Sequence, residues 1–170
     1  NVSKESLVIV IDESFQWPEE KKKEICSKKN MRYVELLQTL TPDDILPGIL
    51  SLLEELKRRN IKASLASASK NAGAIVNALG IAEYFAAMAD PSQVQKSKPA
   101  PDIFLDAAEK ADVWYDNCVG IEDSQAGIFA LNKAGIKAVG INKNNELECT
   151  DLQLHSTSEL TIETLLRMFD

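Results

Sequence analysis

The sequence has one histidine, His155, and only three cysteines, Cys26, Cys118 and Cys149, which stand far apart with no Cys-x-x-Cys pair among them. Zinc ribbons and thioredoxin-like redox sites are built on such pairs, so neither class is indicated. A reducing, cytoplasmic compartment is the simplest expectation for scattered thiols. His155 lies in a polar C-terminal stretch and reads as a surface residue rather than a catalytic base. No apolar run approaches the roughly 20 residues that a bilayer-spanning helix needs, so no membrane partner is expected. The first residues mix acids and bases and lack the basic-then-apolar layout of a secretory signal. Positive charge is also short: 19 Lys and Arg against 26 Asp and Glu, a net charge of −7. Nucleic acids recruit clustered cations, so a nucleic-acid partner is not expected. A small phosphorylated substrate needs only a few local cations and stays open.

What is present fits an ordinary folded protein. The 170 residues, 45% hydrophobic and 26% charged, suffice for one domain or a domain plus a small helical lobe. Residues 18 to 40 carry apolar positions at Ile25, Tyr33, Leu36, Leu37 and Leu40, and predict a helix with Pro18 in its first turn. Thr41-Pro42-Asp43-Asp44 is a turn. A second helix opens at Pro47-Gly48, with Ile49, Leu52, Leu53 and Leu56 on one face and Lys57 to Arg59 at its end. Beyond it, short apolar runs at 61–67, 85–89, 118–121 and 137–141 predict strands. They alternate with helices at 71–79, 101–111, 124–134 and 159–169. Such alternation implies an α/β fold with a parallel sheet and helices on both faces. Ligands of these sheets bind beyond the carboxyl ends of the strands, so the residues there are the ones to weigh.

After the first strand come Ser67, Ser69, Lys70 and Asn71. Small hydroxyls leading into a helix N-terminus can hold a phosphoryl oxygen; they are equally good helix caps. After the second comes Lys98, stiffened by the prolines that follow it. It could neutralise an anion, or it could be a solvated loop lysine. After the third come Glu122 and Asp123, a carboxylate pair that suits a hard cation such as Mg²⁺, or caps the next helix. Together, a hydroxyl, a cation and paired acids at successive strand ends compose a phosphoryl-transfer site, where catalysis is positioning and charge stabilisation.

The stretches Leu65-Ala66-Ser67-Ala68-Ser69-Lys70-Asn71, Ser97-Lys98-Pro99-Ala100-Pro101-Asp102-Ile103-Phe104 and Gly120-Ile121-Glu122-Asp123-Ser124-Gln125-Ala126-Gly127-Ile128 resemble the β-phosphoglucomutases, a family of the haloacid dehalogenase superfamily. The resemblance implies a Rossmann-like α/β core over residues 45–170, preceded by part of a helical cap domain over residues 1–44. It implies an isomerase that interconverts β-D-glucose 1-phosphate and glucose 6-phosphate through an aspartyl-phosphate. Ser67 would bind the transferring phosphoryl group, and Lys98 would stabilise nucleophile and phosphate. Asp123 would ligate Mg²⁺, with Glu122 beside it as a further or supporting carboxylate. Ser69, Lys70 and Asn71 would contact phosphate or sugar. In the cap, Lys29 falls on a sugar-phosphate contact. Lys4 takes the place of an arginine that reads the distal phosphate, with the loss of the bidentate fork.

The family's reaction starts from an Asp-x-Asp-Gly stretch at the end of a first strand, central in the sheet, and these 170 residues contain none. The apolar run Leu7 to Ile11 ends in Asp12, but Ser14 stands where the general acid and base should be, and no glycine follows. The expectation is therefore a core whose first strand is missing. A chain of these residues alone should form no aspartyl-phosphate, and a preceding segment or second chain would supply the nucleophile. Two other readings remain: a sugar-phosphate phosphatase on the same scaffold, and a non-catalytic fragment that binds sugar phosphate.

Overall fold

The structure is a computed structural model and describes residues 39–169, which span the second of the chain's two units, Leu40–Asp170. Lys4, Lys29, the Leu7 to Asp12 run and most of the helix expected at 18–40 lie outside the described residues.

A short 3-10 turn, Pro42–Asp44, is closed by Asp44, whose carboxylate accepts from the backbone and hydroxyl of Thr41 at 2.9 and 3.2 Å. Helix α1 (Ile49–Arg58) follows, burying Leu52 and Leu53. Strand β1 (Ala63–Leu65), helix α2 (Ala72–Ala78), strand β2 (Phe85–Met88), helix α3 (Asp102–Lys110), strand β3 (Val119–Glu122), helix α4 (Gln125–Ala134) and strand β4 (Lys137–Ile141) then alternate. Strand β5 (Leu152–Leu154) and helix α5 (Ile162–Leu166) complete the described chain.

All strand pairing among the described residues is parallel. β1 pairs with β2, and β3, β4 and β5 form a second ladder with β4 in the middle. Side chains alternate across a strand, and β4 shows what that does here. Ala138 packs with Ile103, Phe104 and Ala107 of α3 and Ile128 and Leu131 of α4. Its neighbour Val139 packs on the other face with Leu52 of α1 and Ile162 and Leu165 of α5. Helices thus cover both faces, the arrangement the alternation of patterns predicts. Helix α3 also joins the two ladders: it packs on α4, and its Ala107 carbonyl accepts from the Ser64 hydroxyl of β1 at 2.9 Å.

Two expectations are corrected, and one strand was not expected. The first strand is three residues long rather than spanning 61–67. β5 lacked a readable pattern; it is held in register by Asp151, whose side chain accepts from the Ala138 backbone at 2.7 Å. The expected helix at 159–169 is broken. A capping box between Ser156 and Glu159 closes a 3-10 turn at Thr157–Glu159, Leu160 is extended, and Thr161 starts α5 afresh by accepting from the Thr164 backbone. Each cap satisfies an N–H group that the break leaves without an intrahelical partner.

That broken stretch anchors the entry to α1. The Thr157 hydroxyl donates to the Pro47 carbonyl at 2.8 Å. Gly48 is left-handed, with φ +83°, and a Cβ there would lie 2.7 Å from the Thr157 carbonyl oxygen. Gly48→Ala is expected to cost about 1–3 kcal/mol through combined strain and overlap, and Thr157→Val about 1 kcal/mol for the lost hydrogen bond. Urea unfolding measures both; a Gly48→Ala midpoint equal to wild type would refute the anchoring.

Candidate active site

Loops leaving the carboxyl ends of parallel strands emerge on one side of a sheet. The Ser67–Asn71 loop follows β1, the 89–101 loop follows β2, and the turn of Asp123 and Ser124 follows β3. In the first loop the Ser67 hydroxyl oxygen accepts from the Ser69 backbone and that of Ser69 accepts from the Asn71 backbone, both at 3.2 Å. These are the local turns that serine favours. Each hydroxyl proton is left to donate to a ligand. Asn71 occupies the N-cap position of α2 without a side-chain cap bond. Lys70 is exposed and has neither a hydrogen bond nor an ion pair among the described residues.

In the second loop the Lys98–Pro99 peptide bond is cis. The Lys98 ammonium reaches across to the Oε1 of Glu122 and lies 4.7 Å from the centroid of the Phe104 ring. The pair is largely shielded, with side chains 22% and 8% exposed.

Glu122 is the sole buried charged residue among the described residues. A buried carboxylate is tolerated only where its charge and lone pairs are answered. Here Oε1 takes Lys98, and Oε2 accepts from the backbones of Asp123 and Ser124 at 3.1 and 3.2 Å and from the Ser124 hydroxyl at 2.9 Å. The Ser124 oxygen in turn accepts from the Gly127 backbone at 3.1 Å, capping α4. Asp123, one residue on, points the other way: it is exposed, and its carboxylate has no partner among the described residues.

Glu122 and Asp123 line a cleft of about 600 Å³. Leu46, Pro47, Asn142, Lys143, His155 and Ser156 also line it. The structure thus joins Lys98 to Glu122 directly, sets Asp123 beside them, and leaves the Ser67–Asn71 donors on the adjoining strand end. Sequence reasoning did not find the rest of the cleft lining, His155 included, nor the Phe104 ring or the space at Gly127. The Glu-Asp-Ser-x-x-Gly spacing was the available signal for the last of these.

Mg²⁺ favours oxygen donors and keeps several waters, so one or two carboxylates plus a substrate phosphate suffice. A free, solvent-facing Asp123 fits that need. No cluster of three or more His, Cys, Asp or Glu stands ready to cage a metal among the described residues. No described helix is long and apolar enough to cross a membrane.

The model of the haloacid dehalogenase-like hydrolase family matches residues 7–135. The chain is 44% identical over 163 residues to a β-phosphoglucomutase of Bacillus subtilis, covering 96% of this chain and 72% of that protein. Hexitol phosphatase B of Escherichia coli is 27% identical over 157 residues, covering 88% of this chain and 70% of its own length. Among solved structures, a β-phosphoglucomutase of Clostridium difficile superposes with a TM-score of 0.84 at 42% identity, over 90% of this chain and 69% of that one.

Gly127 tests the site's construction. A Cβ there would fall 2.1 Å from the Glu122 carboxyl carbon, whereas at Gly73, in helix α2, the nearest atom is the Met88 methyl at 3.9 Å. Gly127→Ala should therefore destabilise by about 1–3 kcal/mol by overpacking, while Gly73→Ala should be neutral or stabilise by up to about 1 kcal/mol. Equal denaturation midpoints for the two variants would contradict the reading of Gly127 as the space that admits Glu122.

Proposed function

Since the chain belongs to the haloacid dehalogenase-like hydrolase family and is a homologue of the β-phosphoglucomutases, we propose that it interconverts β-D-glucose 1-phosphate and glucose 6-phosphate by phosphoryl transfer. The observation that carries this reading is the Lys98–Glu122 pair, which holds a cation beside the unpartnered Asp123 carboxylate at the strand ends.

The attacking carboxylate comes from outside residues 39–169. β1 and β3 each pair on one edge only among the described residues. A parallel strand paired there would bring its own carboxyl end beside Lys98 and Asp123. Its aspartate, already phosphorylated, passes its phosphoryl group to the free sugar hydroxyl, which gives up its proton as the aspartate–phosphorus bond breaks, and the product is the bisphosphate. The aspartate oxygen then bonds to the other phosphorus as that bond to the sugar oxygen breaks; the departing oxygen takes up a proton, and the isomeric sugar phosphate and the phosphorylated aspartate result. The Ser67 hydroxyl and neighbouring backbone N–H groups bind the phosphoryl oxygens, and Lys98 offsets the charge that gathers on them. Mg²⁺, held by Asp123, supplies charge neutralisation across the phosphoryl oxygens when bound. Glu122 keeps Lys98 and the Asp123 turn in place. Ser69, Lys70 and Asn71 bind the sugar or its second phosphate, assisted by Lys29 and Lys4.

Similarity to hexitol phosphatase B favours a second reading, hydrolysis of a sugar phosphate, because the same groups serve whether the acceptor is a sugar hydroxyl or water. Phosphorus NMR of reactions with β-D-glucose 1-phosphate, Mg²⁺ and a trace of β-glucose 1,6-bisphosphate separates the two. With a preceding segment or second chain that supplies the aspartate included, the expected product is glucose 6-phosphate, and Asp123→Asn should lower its rate by about 10²–10³-fold. Inorganic phosphate as the main product would establish the phosphatase. Binding of sugar phosphate with neither product would establish a binding fragment.

A further inference from the structure

We propose that Phe104 is the positioning residue of Lys98, its ring forming a fixed floor that aims the ammonium into the site. The inference deepens the reading of Lys98 as the site's cation and rests on that reading. A lysine side chain is a compact charge on a flexible four-carbon stem. The bond to Glu122 fixes where one N–H points but leaves the stem free to swing about that bond. The Phe104 face, 4.7 Å from Nζ, closes off the swing from a second side. Between carboxylate and ring, the donors not taken by Glu122 are left facing the strand-end opening where phosphate is expected.

The ring is suited to this by its own immobility. Phe104 is 6% exposed and packs in the cluster with Ile103, Ala107, Ile128 and Leu131. It sits in the first turn of α3, at the end of the loop that carries Lys98, so a buried helix face sets the lysine's height above the sheet. The other two cation–ring pairs among the described residues differ. Lys57 lies 5.0 Å from Tyr84, paired with an exposed Glu83, and Lys137 lies 5.4 Å from Phe169, itself 44% exposed. Ring attraction is weak at exposed sites and grows where the pair is desolvated. Only Lys98 has both a buried ring and a buried carboxylate.

The test introduces phenylalanines with one, two and three ring fluorines at position 104 alone. These keep the ring's shape and drain the negative charge from its face. Two quantities are read: the NMR order parameter and ring-current shift of the Lys98 ε-methylene, without ligand, and the affinity for inorganic phosphate in the presence of Mg²⁺. The expected result is a wild-type Lys98 ε-methylene that is rigid and shifted upfield of the other lysines, loosening stepwise with fluorination. Phosphate affinity should fall in the same steps, to about tenfold in all, at an unchanged melting temperature. Phe104→Leu should show the same loosening together with reduced stability. A Lys98 signal like that of an exposed lysine, or one indifferent to fluorination, overturns the proposal even if the protein isomerises sugar phosphate. Graded loosening in a protein that turns over no sugar phosphate even when the nucleophilic aspartate is supplied upholds the proposal and overturns the mutase.

Discussion

The Glu122 carboxylate has to be answered from all sides, and much of the site follows from how that is done. It sits at the last position of β3, buried, where an unpaired charge would cost several kcal/mol. Two of its donors are the next backbone N–H groups, and these curl the chain tightly out of the strand. A third, the Ser124 hydroxyl, is also the N-cap of α4, so the same atom orients the carboxylate and starts the helix. The fourth is Lys98, 24 residues earlier in sequence, on the loop that leaves the other ladder. One buried charge thereby ties the carboxyl ends of the β1–β2 and β3–β4–β5 ladders together. The absence of a side chain at Gly127 is the steric condition for it.

Adjacent acids acquire opposite duties by this arrangement. Alternation along a strand sends Glu122 inward, and the turn that its carboxylate stabilises turns Asp123 outward to solvent. Glu122 is saturated by four hydrogen bonds and serves other side chains. Asp123 keeps its lone pairs and can serve a cation. Neither duty distinguishes a mutase from a phosphatase. Both need a polarised phosphoryl group and an offset charge, and they part only over whether sugar or water occupies the acceptor position. It is coherent, then, that the same core is shared with a β-phosphoglucomutase and, more distantly, with a hexitol phosphatase.

The sequence made the parallel α/β architecture legible because β4 and its flanking helices carry undiluted patterns. Lys137–Ile141 is a strand at the expected bounds, and α4 starts at Ser124 and stops at Gly135 as caps demand. The strand-end positions of Ser67, Lys98 and Asp123 were legible too, since each follows a short apolar run that forms a strand. What stayed hidden depends on distance in sequence or on shortness. β5 is three residues among polar neighbours, and only its pairing with Val139 to Ile141 makes it a strand. The break at Leu160 follows from a capping box that competes with an otherwise plausible helix pattern. The grip on Lys98 joins residues with no local relation, a loop lysine, a strand-end glutamate and a core phenylalanine, so no window of sequence contains it.

The part of the cleft lining that precedes α1 is held by other bonds, and they explain why the C-terminal break matters. Leu46 and Pro47 line the cleft, yet they precede α1 and have few buried contacts of their own. Their placement is borrowed from the Thr157–Glu159 turn, through the Thr157 hydroxyl on the Pro47 carbonyl and the close backbone contact at Gly48. That turn exists because Glu159 folds back to accept from the His155 and Ser156 backbones at 3.0 and 2.9 Å. Had residues 159–169 continued as one helix, those bonds would be lost and nothing would set the linker against the strand ends. The interruption of a helix near the C-terminus thus fixes the position of the cleft lining near residue 47. Two sets of cleft-lining residues are then held by separate bonds, Glu122 and Asp123 by the charge on Glu122, and Leu46 and Pro47 by a turn that a capping box closes.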